Sequence, residues 1–497
     1  MRQRITFFHG NENGVEPASL KICDRSISGP DLIAVREHRV TLALEELPAE
    51  LQELLHEVHD LHIRWSTPLA HETLGPWSSR LPPGLHVFYT PQKSEAADSV
   101  RLCTLLRAVF GNIDCSTPTE SFTKLPSDRF SHSTAYQYFH PLDNLSNLSM
   151  YAEQYACVPG DLECKKWAQE LGHAVSLDLS YDATSHTVKA TAVWPEGHQT
   201  LSIGSHPDHR TEVGILTPDS PPHLESYELG VAGLLTVLGE DTKPSPVLFA
   251  FPSRHKSTES SFSSAFLQPL GLHPTLQLSI DSSKPPLPDA TCSLHTYMTL
   301  PRTIFADKYQ LEDELFLASK NLTALRYISQ PVDLEAPDYA MQLWGSSVLL
   351  ELQPPSAQDD TPWTAEIPLH LRYMSPAEGG YSSIKVPWPA VFWSCNAEGE
   401  AKFSNSPFDR ANLGYDGLFG PQTLFWHVNP SSEKDGSLNH QIRVPVLDLN
   451  KTEWISAGTA AVVLVGFAYI VWKLASVYLR TGYSSQKSVT EIGKKKQ

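Results

Sequence analysis

Few groupings of side chains in this sequence have the types and spacing to do chemistry. His206-Pro-Asp-His209 offers two imidazoles and a carboxylate, the beginning of a zinc site, but Pro207 favours a turn and the third ligand is missing. His56, His59 and His62 recur at i, i+3 and i+6. On a helix each step turns about 300°, so the three rings drift around the surface instead of converging. No G-x-S-x-G, P-loop, H-E-x-x-H or G-x-G-x-x-G occurs, and no C-x-x-C. The expectation is a chain with no catalytic residues, no cofactor and no metal.

Cysteine and asparagine carry the remaining covalent chemistry. Seven cysteines are an odd number, so in an oxidising compartment at least one stays free. Cys157 and Cys164 bracket a short turn, and Cys292 and Cys395 lie near the two ends of the membrane-proximal module; both pairs are candidate disulfides, although spacing alone cannot decide them. Four sequons are present. Asn144, Asn147 and Asn321 are candidate exposed glycan acceptors, whereas Asn450 sits within about five residues of an apolar span, out of reach of a glycan-transferring enzyme.

That span is the strongest element. Ile455 to Trp472 is one apolar run bracketed by Trp454 and Trp472; at 1.5 Å per residue it gives about 27 Å of helix, and with Lys473-Leu474 it matches the roughly 30 Å core of a bilayer. Lys473, Arg480, Lys487 and the three terminal lysines follow it against only Glu491, so the tail is expected in the cytosol and the preceding body in a lumen or outside. Lys494 and Lys495 stand at the fourth and third positions from the end, the pattern of a di-lysine address for retrieval to the endoplasmic reticulum. Inside the span, Gly458 and Gly466 lie two turns apart and could let a partner helix approach closely. One feature opposes this topology. Met1-Arg-Gln-Arg is followed by only four residues before a polar stretch, too short for a signal peptide. A tail-anchored cytosolic protein is therefore the alternative topology.

Composition bounds the rest. The 497 residues suffice for two or three domains. The formal charge is −18 and the tail carries +5, which leaves about −23 on residues 1–472 and excludes nucleic acid as a partner. Prolines (39) outnumber glycines (27), and short apolar runs between breakers favour strands. The predicted fold class is mainly β: an α+β N-terminal region (1–252, one or two domains), a serine-rich linker (253–268), a membrane-proximal antiparallel β-sandwich-like domain (269–453), a transmembrane helix (454–474) and a basic cytosolic tail (475–497). Helices are predicted over 48–63, 99–110, 162–171 and near 311–319. Residues 187–203 are predicted as a hairpin, and strands at 275–280, 293–300, 347–352, 365–373, 383–386 and 391–393.

Cys292-Ser-Leu-His-Thr-Tyr-Met-Thr-Leu-Pro-Arg-Thr-Ile-Phe-Ala-Asp-Lys-Tyr-Gln310, then Trp344-Gly345 before an apolar strand, Pro368-Leu-His-Leu-Arg-Tyr373, Val386-Pro-Trp-Pro389 and Cys395 resemble the PIG-X family over roughly residues 270–475. The long preceding region is similar to the fungal form. The resemblance implies an accessory, non-catalytic subunit that binds and stabilises the multi-span catalytic subunit of glycosylphosphatidylinositol (GPI) mannosyltransferase I in the endoplasmic reticulum membrane. That enzyme adds the first mannose to the GPI precursor. The resemblance also implies a role in folding other proteins of that compartment, with misfolded clients as further partners. The alternative reading is a general lumenal chaperone or cargo receptor with broad clients; a single-pass hydrolase is disfavoured by the missing motifs. Arg372, in a strand-like run of the family module, is a candidate partner contact because its planar fork suits bidentate contacts. His295 and His370 are expected to hydrogen-bond within the sheet.

Overall fold

In the computed structural model of the chain, the described residues are 1–10, 14–73, 75–93, 99–126, 136–157, 160, 162–287, 290–329, 332–356, 359–397, 401–408, 410, 412–432 and 436–481. They divide into two compact units: Met1–Tyr373 with Ser383–Ile442, and Met374–Ser382 with Arg443 onward. The fold is mainly β, with an α+β N-terminal region and one long C-terminal helix.

The first unit is built on two large sheets. Eleven strands form the first, in the order Ser245–Pro252, Glu228–Val237, Arg210–Asp219, Arg2–Phe8, Leu32–Ala43, Thr187–Gln199, Ser176–Asp182, Val58–Ser66, Gly84–Pro91, Tyr136–His140 and Thr123–Lys124. The strand period of two sorts their side chains onto two faces. Leu85, Val87 and Tyr89 join a core with the helices Arg101–Phe110 and Ser146–Tyr151, whereas Phe88 points the other way. Likewise Ala192 and Trp194 lie on the helix-covered face and Val193 opposite it.

The second sheet has eight strands, in the order Leu322–Ile328, Gly345–Leu352, Cys292–Pro301, Ala390–Asn396, Thr423–Pro430, His255–Phe266, Thr275–Ile280 and Trp363–Pro368. All its pairings are antiparallel except one: His255–Phe266 runs parallel to Thr423–Pro430. Its facing layer comes from the N-terminal region. Phe88 and Leu125 pack into one cluster with Tyr297, Leu349, Phe392, Tyr415 and Phe425, all 3% exposed or less.

Three local expectations differ from what is observed. Residues 48–63 split into a helix, Ala49–Leu55, and the strand Val58–Ser66. Leu61, Ile63 and Trp65 supply a period-two stripe that outlasts the helical one, so His59 and His62 stand on a strand. The predicted hairpin at 187–203 is one strand, Thr187–Gln199, kinked by a bulge between Trp194 and Gly197, and Ser202–Gly204 pairs elsewhere, with Ser26–Ser28. The serine-rich linker is the inner strand His255–Phe266. Its hydroxyls are held inside the fold: Ser261 Oγ donates to Asp281 (2.7 Å), Ser257 Oγ to Asn429 Oδ1 (3.1 Å), and Ser264 Oγ pairs with His440 Nε2 (2.9 Å). Buried polar groups are tolerated once partnered, so composition alone misjudged this segment.

In the second unit, the segments 377–380 and 446–449 bond to each other at the root of the C-terminal helix. Ala377 N donates to Leu447 O (3.0 Å), Leu449 N to Ala377 O (3.2 Å) and Val446 N to Gly380 O (3.0 Å), while the Arg443 guanidinium stacks 4.4 Å over Tyr381. The helix Thr452–Thr481 follows, 30 residues or about 45 Å long. It contains the whole predicted span. Residues 449–480 have a mean hydropathy that peaks at 2.0, and none of the most apolar window is buried.

Candidate functional site

The family-like motif residues have structural positions. Trp344 reaches into the N-terminal core, where its Nε1 donates to Gln137 O (2.8 Å) and lies 3.3 Å from Thr123 Oγ1. Gly345 sits at φ +148°, where an added Cβ would lie 2.0 Å from Leu300 O, so the turn into the next strand requires glycine. Gln137, fully buried, bridges the sheets: its Nε2 donates to Tyr297 Oη (2.9 Å) and its Oε1 accepts from Ser347 Oγ (3.0 Å). Trp388 stacks on His440 at 5.6 Å.

The seam between the sheets is also charged. Glu37, 0% exposed, accepts from Arg4 Nη2 (3.0 Å), Arg39 Nη2 (3.4 Å) and Trp77 Nε1 (2.7 Å). Burial pushes its carboxyl pKa up, but the fields of Arg39 and Arg4 and the hydrogen bonds bring it below the ordinary value, so it stays ionised. Arg4 and Arg39 also donate to Pro407 O, at 3.1 and 2.6 Å. His255 and His427 share a hydrogen bond of 3.0 Å in full burial; desolvation lowers both pKa values, that of His427 to about 3, so both rings are neutral. A neutral paired imidazole and saturated carboxylates organise a fold; they do not form an acid–base pair open to substrate.

Arg372, expected as a candidate partner contact, is only 5% exposed. Its Nη1 donates to Ala336 O (2.8 Å) and its guanidinium stacks 4.4 Å over Phe305, while its Nε is buried with no acceptor among the described residues. His295 is buried, with Nδ1 3.1 Å from Ser293 O, and burial lowers its pKa to about 4. His370 pairs with His273 (2.9 Å) and Gln310 (3.1 Å). His206 and His209 face each other at 4.9 Å on an exposed turn, and among the described residues no three metal-ligating side chains converge. Gly458 and Gly466 have nothing within 4 Å of an added Cβ, so the helix face they mark is uncovered. Lys494 and Lys495 lie outside the described residues.

Six cysteines are joined as Cys103–Cys115, Cys157–Cys164 and Cys292–Cys395, and Cys23 is free and exposed. Cys292 and Cys395 are direct partners across neighbouring strands. The Cys103–Cys115 bond was not anticipated; its signal was Cys103 on the buried face of the Arg101–Phe110 helix, which places its sulfur inward beside the chain that leaves the helix. Among the sequons, Asn147, Asn321 and Asn450 each use the side-chain nitrogen: toward Phe110 O (3.1 Å), Thr364 O (2.8 Å) and Asp448 Oδ1 (3.3 Å). Asn144 is exposed and uses its oxygen, which accepts from Ser146 N at 3.1 Å.

Comparison with known proteins adds the wider context. Residues 269–475 match the family model described as PIG-X / PBN1. Along its full length the chain is similar to protein pbn1 of Neurospora crassa, 55% identical with 100% of both chains covered. It is 45% identical to protein PBN1 of Gibberella zeae over the same shares, and 27% identical to protein PBN1 of Yarrowia lipolytica, again with 100% of each covered. Among solved structures, the collagen-binding domain of the surface protein RspB of Erysipelothrix rhusiopathiae aligns at 6% identity over 55% of this chain and 74% of that one, with a TM-score of 0.13, which carries no argument.

Proposed function

Because the chain belongs to the PIG-X / PBN1 family, we propose that it is an accessory, non-catalytic subunit that binds and stabilises the catalytic subunit of GPI mannosyltransferase I in the endoplasmic reticulum membrane. The observation that carries this reading is the reach of the likeness: it spans both sheets and the single long apolar helix, not the membrane-proximal module alone. Three disulfides support a body in an oxidising lumen. The basic residues that follow the span support a cytosolic tail.

The work of such a subunit is binding. A protein that engages the native catalytic subunit and not its unfolded form stabilises it by RT ln(1 + [L]/Kd), about 2.7 kcal/mol at a hundredfold excess over Kd. The uncovered Gly458/Gly466 face is the proposed helix contact in the membrane, and the lumenal body the second contact.

Depletion tests this directly. Specific loss of the mannosyltransferase catalytic subunit, with other membrane proteins at normal levels, is the expected outcome; wide misfolding of unrelated clients would replace the subunit reading with that of a general chaperone. Topology is tested in microsomes: a protease-protected body with glycans removable by endoglycosidase H is expected, and an exposed, unglycosylated body would overturn the lumenal placement.

A further inference from the structure

The root of the C-terminal helix is one continuous piece. The 3-10 turn Leu449–Lys451 runs into the helix Thr452–Thr481 without a break: Lys451 N donates to Asp448 O (2.9 Å), Thr452 Oγ1 donates to Leu449 O (2.6 Å), and Thr452 is itself helical. Asp448 caps that turn, its Oδ1 accepting from Asn450 N (3.1 Å) and Asn450 Nδ2 (3.3 Å). Across from it, Ala377 donates to Leu447 O (3.0 Å) and accepts from Leu449 N (3.2 Å). Backbone and cap are thus engaged, and the apolar side chains are what remains outside: Leu447 is 38% exposed, Leu449 46% and Trp454 83%.

Helix geometry sets the level of these side chains. Lys473 is the first charged residue after the apolar run, and a core of roughly 30 Å measured back from it takes about 20 residues, to Glu453. Leu449 lies about 7 Å beyond Glu453, at about 1.5 Å per α-helical residue and about 2.0 Å per 3-10 residue. The headgroup layer on each side of a bilayer is about 5–8 Å deep, so Leu449 falls at its level and Leu447 beside it. Trp454 and Lys451 suit the same layer, one by its amphipathic ring and the other by an apolar stem that carries an ammonium. A single exposed leucine elsewhere on a surface is ordinary. Two on a turn locked to a membrane helix have an apolar phase within reach.

We propose that Leu447 and Leu449 enter the lipid headgroup layer at the N-terminal end of the membrane helix, so that the paired segments 377–380 and 446–449 rest on the bilayer as a collar. The lipid surface is the occupant because the turn continues directly into the span and stays at the membrane surface whenever the helix is inserted. A collar joined to the helix by unbroken backbone sets the depth at which the helix sits. It also fixes which way the Gly458/Gly466 face looks. The proposal rests on Thr452–Thr481 being a membrane helix and not on the subunit reading.

The test uses the full chain in phosphatidylcholine nanodiscs, with C23S to remove the free cysteine and one environment-sensitive fluorophore attached through L447C, L449C or V463C. Nitroxide-bearing lipids then quench the fluorophore, with the nitroxide near the headgroup for the first two variants and deep in the acyl chain for V463C, which reports insertion of the helix. Blue-shifted emission and quenching of about twofold or more over nitroxide-free lipid are expected at both leucine positions. L447C and L449C are read separately, so a variant that fails to fold leaves the other to decide. Water-like, unquenched emission at both positions with V463C quenched overturns the collar and leaves the span standing; an unquenched V463C overturns both. Labels that leave water only when the mannosyltransferase catalytic subunit is co-purified would assign the leucines to a protein partner and overturn the lipid assignment.

Discussion

Glu37 shows what a single side chain decides in this protein. Its carboxylate sits at 0% exposure among Arg4, Arg39 and Trp77, so removing it strands two guanidiniums in the seam. Glu37→Ala is expected to cost about 3–5 kcal/mol, read as a fall in chemical-denaturation midpoint of the purified chain. A loss under about 1 kcal/mol would mean that Arg4 and Arg39 find other partners at Pro407. Asn144 governs a different observable. With the side-chain nitrogens of Asn147, Asn321 and Asn450 engaged, Asn144→Gln is expected to remove the main glycan shift on a gel, and the same change at Asn450 to remove none. At this scale the sequence was legible where a property is local, as with the short turn between Cys157 and Cys164. It was opaque where a partner comes from far along the chain: nothing in the text around Arg372 announces Phe305 beneath it, and nothing near Arg80 announces Asn429.

Elements were readable when one face decided them. The apolar run at 455–472 and the alternating runs of the second sheet declare themselves, because a uniform environment imposes a uniform pattern. The strand His255–Phe266 hid because Phe262 is its one deeply buried apolar side chain before the end, and the groups around it are hydroxyls and an imidazole held by hydrogen bonds. The same sheet carries a covalent tie that begins two strands away. Cys292–Cys395 closes 103 residues of chain, and replacing both cysteines by serine is expected to cost about 4 kcal/mol, measured by denaturation under non-reducing conditions. The C-terminal helix gives the complementary prediction. Gly458→Leu with Gly466→Leu is expected to leave the fold of the body unaltered, since none of the described residues lies within 4 Å of a Cβ added at either position, and should lower the steady-state level of the mannosyltransferase catalytic subunit. Unchanged levels would place the whole contact in the body.

For the molecule as a whole, buried neutral histidines set the pH response. His86 and His295 are depressed to about 4 by burial and His427 to about 3, against an ordinary value near 6.5. Between those limits the unfolded chain binds protons that the folded chain refuses, so their contribution is intact above about pH 7 and is lost as pH falls from 6.5 toward 4. Each such ring costs about 1.4 kcal/mol per pH unit crossed, so the melting temperature is expected to be flat from pH 7 to 8 and to drop steeply below pH 6. A chain cut to begin at residue 269, where the family match starts, would uncover Tyr297, Phe392 and Phe425 and lose the strand His255–Phe266; aggregation on expression is expected, and a soluble monomer would show that the second sheet stands alone. The strand order also sets a timetable. Arg2–Phe8 waits for Arg210–Asp219, and His255–Phe266 waits for Thr423–Pro430, whose parallel partner is made more than 150 residues later. At roughly 5–20 residues per second on the ribosome, the serine-rich strand spends about 10 to 30 seconds with one edge open, and that interval ends only as the membrane helix is itself being synthesised.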